Sequence, residues 1–166
     1  MFTNEEAQAL IGTKKVLENP FQIIDLAKEK NRLDLLAPDE PDYKFFIDIT
    51  SNQRIQFKIS IHHQEKYSNI GLVRVDYKGR HLNPEGIKDT LPEIFKQYAG
   101  AFFERTEPHI HFYVDGYKPL AWAIPLKDYD FDTQSVKSME DFNNAICNFA
   151  KLINVETILN IQQAIL

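Results

Sequence analysis

Two histidines stand two residues apart, His109 and His111, in the run from Glu107 to Leu126 (EPHIHFYVDGYKPLAWAIPL). Upstream, Arg74 and Asp76 are also two apart, and His81 follows in the run KGRHLNPEG. Three chemistries can use this set. The first is metal-independent RNA cleavage. One imidazole takes the 2′-hydroxyl proton, another protonates the leaving oxygen, and Arg74 or Lys58 stabilises the charge of a phosphorane-like transition state. His111 with His81 is the pair chosen for this, with Asp76 orienting an imidazole and with His109 and Tyr113 completing the candidate catalytic set. The second is a metal site, since an H-x-H pair on a strand puts both imidazoles on one face, where His81 and Asp76 can complete the ligands. The third is a docking surface anchored by Tyr113, Tyr117 and Trp122. An Arg/Asp pair on a strand is also the ordinary signature of a structural hydrogen bond, and H-x-H occurs by chance.

These residues need a sheet to gather them. Along Ile70–Tyr77, Val73 and Val75 oppose Leu72, Arg74 and Asp76. Along the later run, Ile110, Phe112 and Val114 oppose His109, His111, Tyr113 and Asp115. Period-two alternation of this kind marks a strand with one face on the core and one toward water. Ile55, Phe57, Ile59 and Ile61 repeat it, and Phe45–Thr50 reads as another strand. Asp115-Gly116 turns the chain into a last strand at Leu120–Leu126. The opposite face then collects Gln56, Lys58, Ser60, His62, Arg74, Asp76, His109, His111 and Tyr113, with His81 on the adjoining loop. Four of the five histidines fall on or near one surface.

Helices are expected on either side. Thr3 and Glu6 have the form of a capping box, with Ala7, Leu10 and Ile11 at helical spacing. Pro20 is expected to open a second helix capped by Asn19, burying Ile23, Ile24, Leu26, Ala27 and Leu33. A short helix is expected after Pro92, although AFF at 101–103 also suits a strand start. Ser138 and Asp141 begin a C-terminal helix along Phe142, Ile146, Phe149 and Ile153, followed by an amphipathic segment to Leu166 using Val155, Ile158, Leu159, Ala164 and Ile165. Cys147 is expected in the core and His62-His63 at a strand end. The fold class is α+β: one domain over 1–166, with N-terminal helices in 1–38, an antiparallel meander of about five strands in 43–126, an irregular or helical insertion near 88–106, and C-terminal helices in 138–166 on one sheet face.

Composition narrows the field. A hydrophobic fraction of 43% with 12 Phe and 7 Tyr supplies a core built on aromatic bulk. The net charge of −5 disfavours broad DNA binding, which needs a basic surface, while leaving room for a small basic site. A single cysteine excludes an intramolecular disulfide and a Cys-based zinc finger. No basic-then-apolar leader opens the chain and no apolar run approaches membrane-spanning length, so a soluble cytoplasmic protein without a membrane partner is expected. No organic cofactor is implied.

Arg74/Asp76, Gly79/His81/Asn83/Pro84, His109/His111/Tyr113, Asp115/Gly116/Tyr117 and Trp122/Ala123/Pro125 together resemble an uncharacterised family of small bacterial and phage- or prophage-encoded proteins, defined as a domain of unknown function. The resemblance covers most of 45–166 and implies no established activity. Arg74-x-Asp76, the following His81 and the paired-histidine strand are more distantly similar to small RNA-cleaving toxins of toxin–antitoxin systems. From these the chain departs in its longer helical flanks and acidic charge. The likeness implies a toxin-like hydrolase acting on RNA through the His/Arg cluster. A phage setting fits equally an accessory protein that binds and inhibits a host protein through the same face.

Overall fold

Strands make up the largest part of the regular structure in the computed structural model, which describes residues 1–162. In chain order the strands are β1 (Val16–Leu17), β2 (Ile23–Asp25), β3 (Lys30–Leu36), β4 (Lys44–Ser51), β5 (Ile59–Glu65), β6 (Ile70–Tyr77), β7 (His81–Leu82), β8 (Phe102–Phe103), β9 (His109–Phe112), β10 (Trp122–Pro125) and β11 (Asn160–Gln162). Seven of them form one antiparallel sheet in the order β1-β3-β4-β5-β6-β9-β10. β7 and β8 pair as a separate small ribbon, and β2 pairs in parallel with β11.

The sheet is therefore larger than five strands, because the expected second N-terminal helix does not form. Asn19 makes a turn instead of a helix cap: its Oδ1 accepts from the Phe21 N–H, and its carbonyl accepts from Gln22. In β3, buried Leu33 and Leu35 alternate with Arg32 and Asp34, and seven residues register against β4. Arg32 also forks Asp48 across the pair, with both N–O distances 2.7 Å. Cross-strand pairing has overridden helical spacing. The strand expected from Ile55 begins only at Ile59. The Asn52 side chain accepts from the Arg54 and Ile55 N–H groups, and Phe57 turns with a φ of 58°. The C-terminal segment corrects in the same direction, since 160–162 are a strand on β2; Ala164, Ile165 and Leu166 lie outside the described residues.

The helices that do form carry the expected signals. Helix α1 (Asn4–Gly12) opens on the complete Thr3/Glu6 capping box, and α3 (Met139–Leu152) opens on Ser138 accepting from Asp141. Between them, α2 (Glu93–Lys96) is a single turn. Ala7, Leu10 and Ile11 of α1 and Phe142, Ala145, Ile146 and Phe149 of α3 join one apolar cluster with Leu33, Ile47, Ile61, Val73, Val75, Ile110 and Phe112 of the sheet. Cys147, expected in this core, lies on the exposed side of α3. Among the described residues no helix is long and apolar enough to cross a membrane.

Lys15 pins both helices to the sheet. It is completely buried, and its Nζ donates to the carbonyls of Ile11, Thr13 and Ile153, each at 2.9 Å. The first two carbonyls lie at the end of α1 and the third at the end of α3, where helix dipoles favour a cation. The Phe45 ring lies 5.0 Å below the ammonium. Burial lowers the amine to about 7, yet three carbonyl acceptors call for three N–H donors and so favour the ammonium. Replacing Lys15 with Met leaves three buried carbonyls without donors. It is expected to cost about 3 kcal/mol of stability, measured as a lower urea midpoint with an unchanged denaturant slope.

Candidate functional site

The sheet register lines up polar side chains in two rows. One runs Arg32, Asp48, His62, Arg74 and His111 across β3, β4, β5, β6 and β9. The next runs Lys30, Thr50, Ser60, Asp76 and His109 across the same strands. Residues opposite one another on antiparallel strands stand within side-chain reach. The alternation in β6 and β9 therefore brings Arg74, Asp76, His109 and His111 together, as the sequence reading expected.

A single carboxylate oxygen is the focus. Asp76 Oδ2 lies 3.0 Å from Arg74 Nε, 2.9 Å from His111 Nε2 and 3.7 Å from His109 Nε2. Both histidines are completely buried, and Asp76 nearly so. Each imidazole has its other nitrogen on a main-chain carbonyl. His109 Nδ1 lies 2.8 Å from Glu107 O, and His111 Nδ1 2.9 Å from Leu120 O. A carbonyl can only accept, so each Nδ1 carries the proton and each Nε2 turns a lone pair toward Asp76. Arg74 Nη2, 3.1 Å away, donates to the lone pair of His111. His109 Nε2 has no hydrogen-bond partner among the described residues.

Electrostatics follow from this burial. Desolvation alone would raise the Asp76 carboxyl, but the Arg74 guanidinium, hydrogen bonded to the same oxygen, holds it well below the usual carboxylate range. Desolvation lowers His111 to about 4 against the pull of Asp76, and His109 falls for the same reason. His62, between Asp48 and Arg74, is lowered to about 4 by burial and then by Arg74.

A lid covers the cluster. The β7–β8 ribbon crosses its end, setting the Phe103 ring 4.9 Å from His109 and the His81 ring 4.4 Å from His111. His81 donates its Nε2–H to Ala121 O at 2.8 Å. Two residues on, the buried Asn83 side chain accepts from the Ala123 N–H and donates to the Ala123 carbonyl, both at 2.9 Å. His81 and Asn83 thus dock the lid on the outer edge of β10 as a strand would. Leu120, whose carbonyl orients His111, holds a left-handed φ of 61°, a costly conformation for a bulky residue. Gly71 makes room beneath: a Cβ there would come within 2.7 Å of Leu120 Cδ1 and 2.9 Å of His62 Nε2.

Two clefts meet the cluster. One of about 670 Å³ is lined by Arg74, His81, Glu85, Lys118 and Leu120 among others. Another of about 550 Å³ has Asp76 in its wall with Lys30, Lys58, Ser60 and Arg80. Arg74 and half-buried His81 reach the first cleft; His109 and His111 lie sealed behind them.

The expected water-facing surface is therefore an enclosed polar pocket. Tyr113 is not part of it, being buried with its hydroxyl donating to Phe2 O. Trp122 is buried in the core, and Tyr117 packs on it, so the three expected docking anchors are not an exposed patch. His62 and His63 lie within β5 and not at its end, with His63 completely buried on the apolar face against Phe45. Asn83 and Leu120 were not singled out as functional; the His-x-Asn spacing was the one available sign of the edge-docking pair.

These features define a class: an α+β protein whose antiparallel sheet encloses an Asp/His/His cluster behind an arginine. The chain matches the model of the family of unknown function DUF6978 over residues 2–155 and belongs to that family. No curated protein and no solved structure matches it.

Acid should weaken this fold through β5. His62 and His63 are held below their unfolded value of about 6.5. Between about 4 and 6.5 the unfolded chain takes up protons that the native state refuses, so stability is full above that window and falls as pH drops through it. The urea midpoint is expected to be lower at pH 5 than at pH 7.5, and His63→Phe, which keeps a ring against Phe45, to reduce the difference. Equal midpoints at the two pH values would contradict the assignment.

Proposed function

We propose that the protein is a hydrolase of the phosphodiester class acting on RNA, with the Arg74/His81 cleft as its substrate site. The observation that carries this reading is the position of Arg74. One edge of its guanidinium is tied to Asp76 and His111, and its side chain also lines the cleft where His81 and Lys118 stand. A guanidinium so held is preorganised for phosphate oxygens. In the reaction the 2′-hydroxyl oxygen bonds to phosphorus and the bond to the 5′-oxygen breaks. The neutral tautomer of His81, fixed by Ala121, leaves Nδ1 to take the 2′ proton; a solvent water protonates the departing oxygen, and the hydroxide so formed takes the proton back from His81. Arg74 balances the charge of the transition state. His111, paired with His81 in the sequence reading, serves in this arrangement by accepting from Arg74 and so fixing the guanidinium. The likeness to RNA-cleaving toxins supports a toxin-like accessory role in a bacterial or prophage setting.

A second reading rests on a separate observation. Leu82 and Phe102 face each other across the β7–β8 ribbon at 60% and 50% exposure, and Ile87 and Ile94 of the segment between the two strands are exposed as well. Apolar exposure of this kind suits a protein-docking surface, as an inhibitor or adaptor of a host protein would use.

Incubation of purified protein with single-stranded RNA, alongside induced expression in cells, separates the two. Wild type is expected to yield products ending in 2′,3′-cyclic phosphate and to arrest growth, with Arg74→Gln and His81→Ala slower by about 100-fold or more. Equal cleavage by folded Arg74→Gln would refute the hydrolase. A growth effect lost in Phe102→Lys but kept in Arg74→Gln would select the docking reading.

A further inference from the structure

The enclosed cluster poses a problem of hydrogen bonding that a proton does not solve. Asp76 Oδ2, His109 Nε2 and His111 Nε2 all lie within 4.8 Å of one another, and all three are electron-pair donors. The two imidazole N–H groups are committed elsewhere, to Glu107 O and Leu120 O. His109 Nε2 faces Asp76 Oδ2 at 3.7 Å and has no hydrogen-bond partner among the described residues, although that side chain is completely buried. An unpaired buried acceptor beside a carboxylate is costly. Arg74 compensates His111 and Asp76, but it leaves His109 without a partner.

We infer that Asp76, His109 and His111 form a binding site for one divalent transition-metal ion, with Asp76 Oδ2 and the two Nε2 atoms as ligands. Histidines that bind metal through Nε2 characteristically give their Nδ1–H to a backbone carbonyl or carboxylate, which fixes the ring and the tautomer. Both histidines here are already held that way. A tetrahedral ion at about 2.0–2.1 Å keeps its ligand atoms roughly 3.3 Å apart. The observed 2.9 and 3.7 Å separations from Asp76 bracket that value, so small adjustments complete the set. Two imidazoles and one carboxylate suit zinc, cobalt, iron or manganese, whereas magnesium and calcium prefer oxygen alone.

Arg74 is the resident cation of this site. Its guanidinium lies against the same Asp76 oxygen and the same His111 lone pair that the ion takes, and like charges oppose one another at such distances. Its side chain is one-third exposed toward the cleft, which gives it somewhere to move. The position it vacates faces that cleft, where water or a phosphate oxygen can become the fourth ligand. His81 remains outside the ligand set, since its Nε2–H is spent on Ala121. The site stands on this arrangement of donors and acceptors alone and does not depend on the cleavage of RNA.

Isothermal titration of the chelator-treated full chain with zinc chloride and with cobalt chloride tests the site directly. One ion per chain is expected at micromolar affinity or tighter, with cobalt giving the visible absorption of a low-symmetry N/O site. His109→Gln, checked for native circular dichroism, is expected to weaken binding by about 100-fold or more, and His62→Gln on the same face to leave it unchanged. Arg74→Gln removes the competing cation and is expected to tighten binding about tenfold, while still abolishing any RNA cleavage. No binding by folded wild type at millimolar metal would overturn the inference. Equal affinity of folded His109→Gln, or weaker binding by Arg74→Gln, would also overturn it. Metal binding without cleavage leaves the site standing and removes only the hydrolase, whereas cleavage without metal binding does the reverse.

Discussion

The pairing of β6 with β9 is the constraint on which the rest depends. Asp76 stands opposite His109 and Arg74 opposite His111 only because Val75 stands opposite Ile110 and Val73 opposite Phe112 on the other face. A slip of one residue would turn each set to the wrong side, putting charged and imidazole groups against the helices and apolar side chains into the polar pocket. Val73, Val75 and Ile110 are completely buried, and each full burial of this kind is worth about 1.5–3 kcal/mol. The apolar face thus holds the register that assembles the polar one, so the chemistry of the pocket rests on packing it does not touch.

That packing must also support an unfavourable arrangement. Ionised Asp76 and two neutral imidazoles lie almost out of reach of water, beneath a lid of two short strands. Buried charge is tolerated only when paired and hydrogen bonded, and Arg74 supplies most of the pairing. Left-handed Leu120 and the uncapped nitrogen of His109 are further costs, and both lie at this one place. Left-handed residues and unmet buried polar atoms also occur at Phe57, His63 and Trp122, but at Leu120 and His109 they stand beside an ionised carboxylate. Contrast Arg32 and Asp48 in the same row, an open bidentate pair whose geometry is complete. The row ends in a satisfied pair on one side and an unsatisfied cluster on the other.

Much of this was readable from the chain, for definite reasons. Residue type alternates from Val73 to Asp76 and from His109 to Phe112, and capping signals at Thr3 and Ser138 are local, so these elements follow from sequence. Residues 20–36 misled because Ile23, Ile24, Leu26, Ala27 and Leu33 also satisfy a helical period. The decision was made by β4, whose seven-residue register with β3 is a tertiary fact. Convergence of Arg74, Asp76, His109 and His111 was legible from two alternations and one turn. Their enclosure was not, because the lid comes from Phe102 and Phe103, in a stretch where helix and strand signals compete, and docks through Asn83 on the edge of β10. His63 shows the limit of the reading: expected at a strand end, it continues the buried face of Ile59 and Ile61.

The acidic charge of the whole chain and the basic character of the pocket act over different distances. A net charge of −5 opposes the approach of a polyanion, but at physiological salt that field is screened beyond about 8 Å. Inside the clefts Arg74 and Lys118 stand with Glu85 on one side, and Lys30, Lys58 and Arg80 with Glu29 and Asp76 on the other. Capture of a phosphate there must come from short-range contacts, and so from geometry more than from steering. Arg74 is placed for that task and also for neutralising Asp76 and His111, and it cannot serve both fully at once. An ion between Asp76 and the histidines would resolve the competition, replacing the guanidinium at the carboxylate and freeing it for the cleft. On the proposed reading, the same side chain would guard the cluster when it is empty and address a phosphate when it is filled.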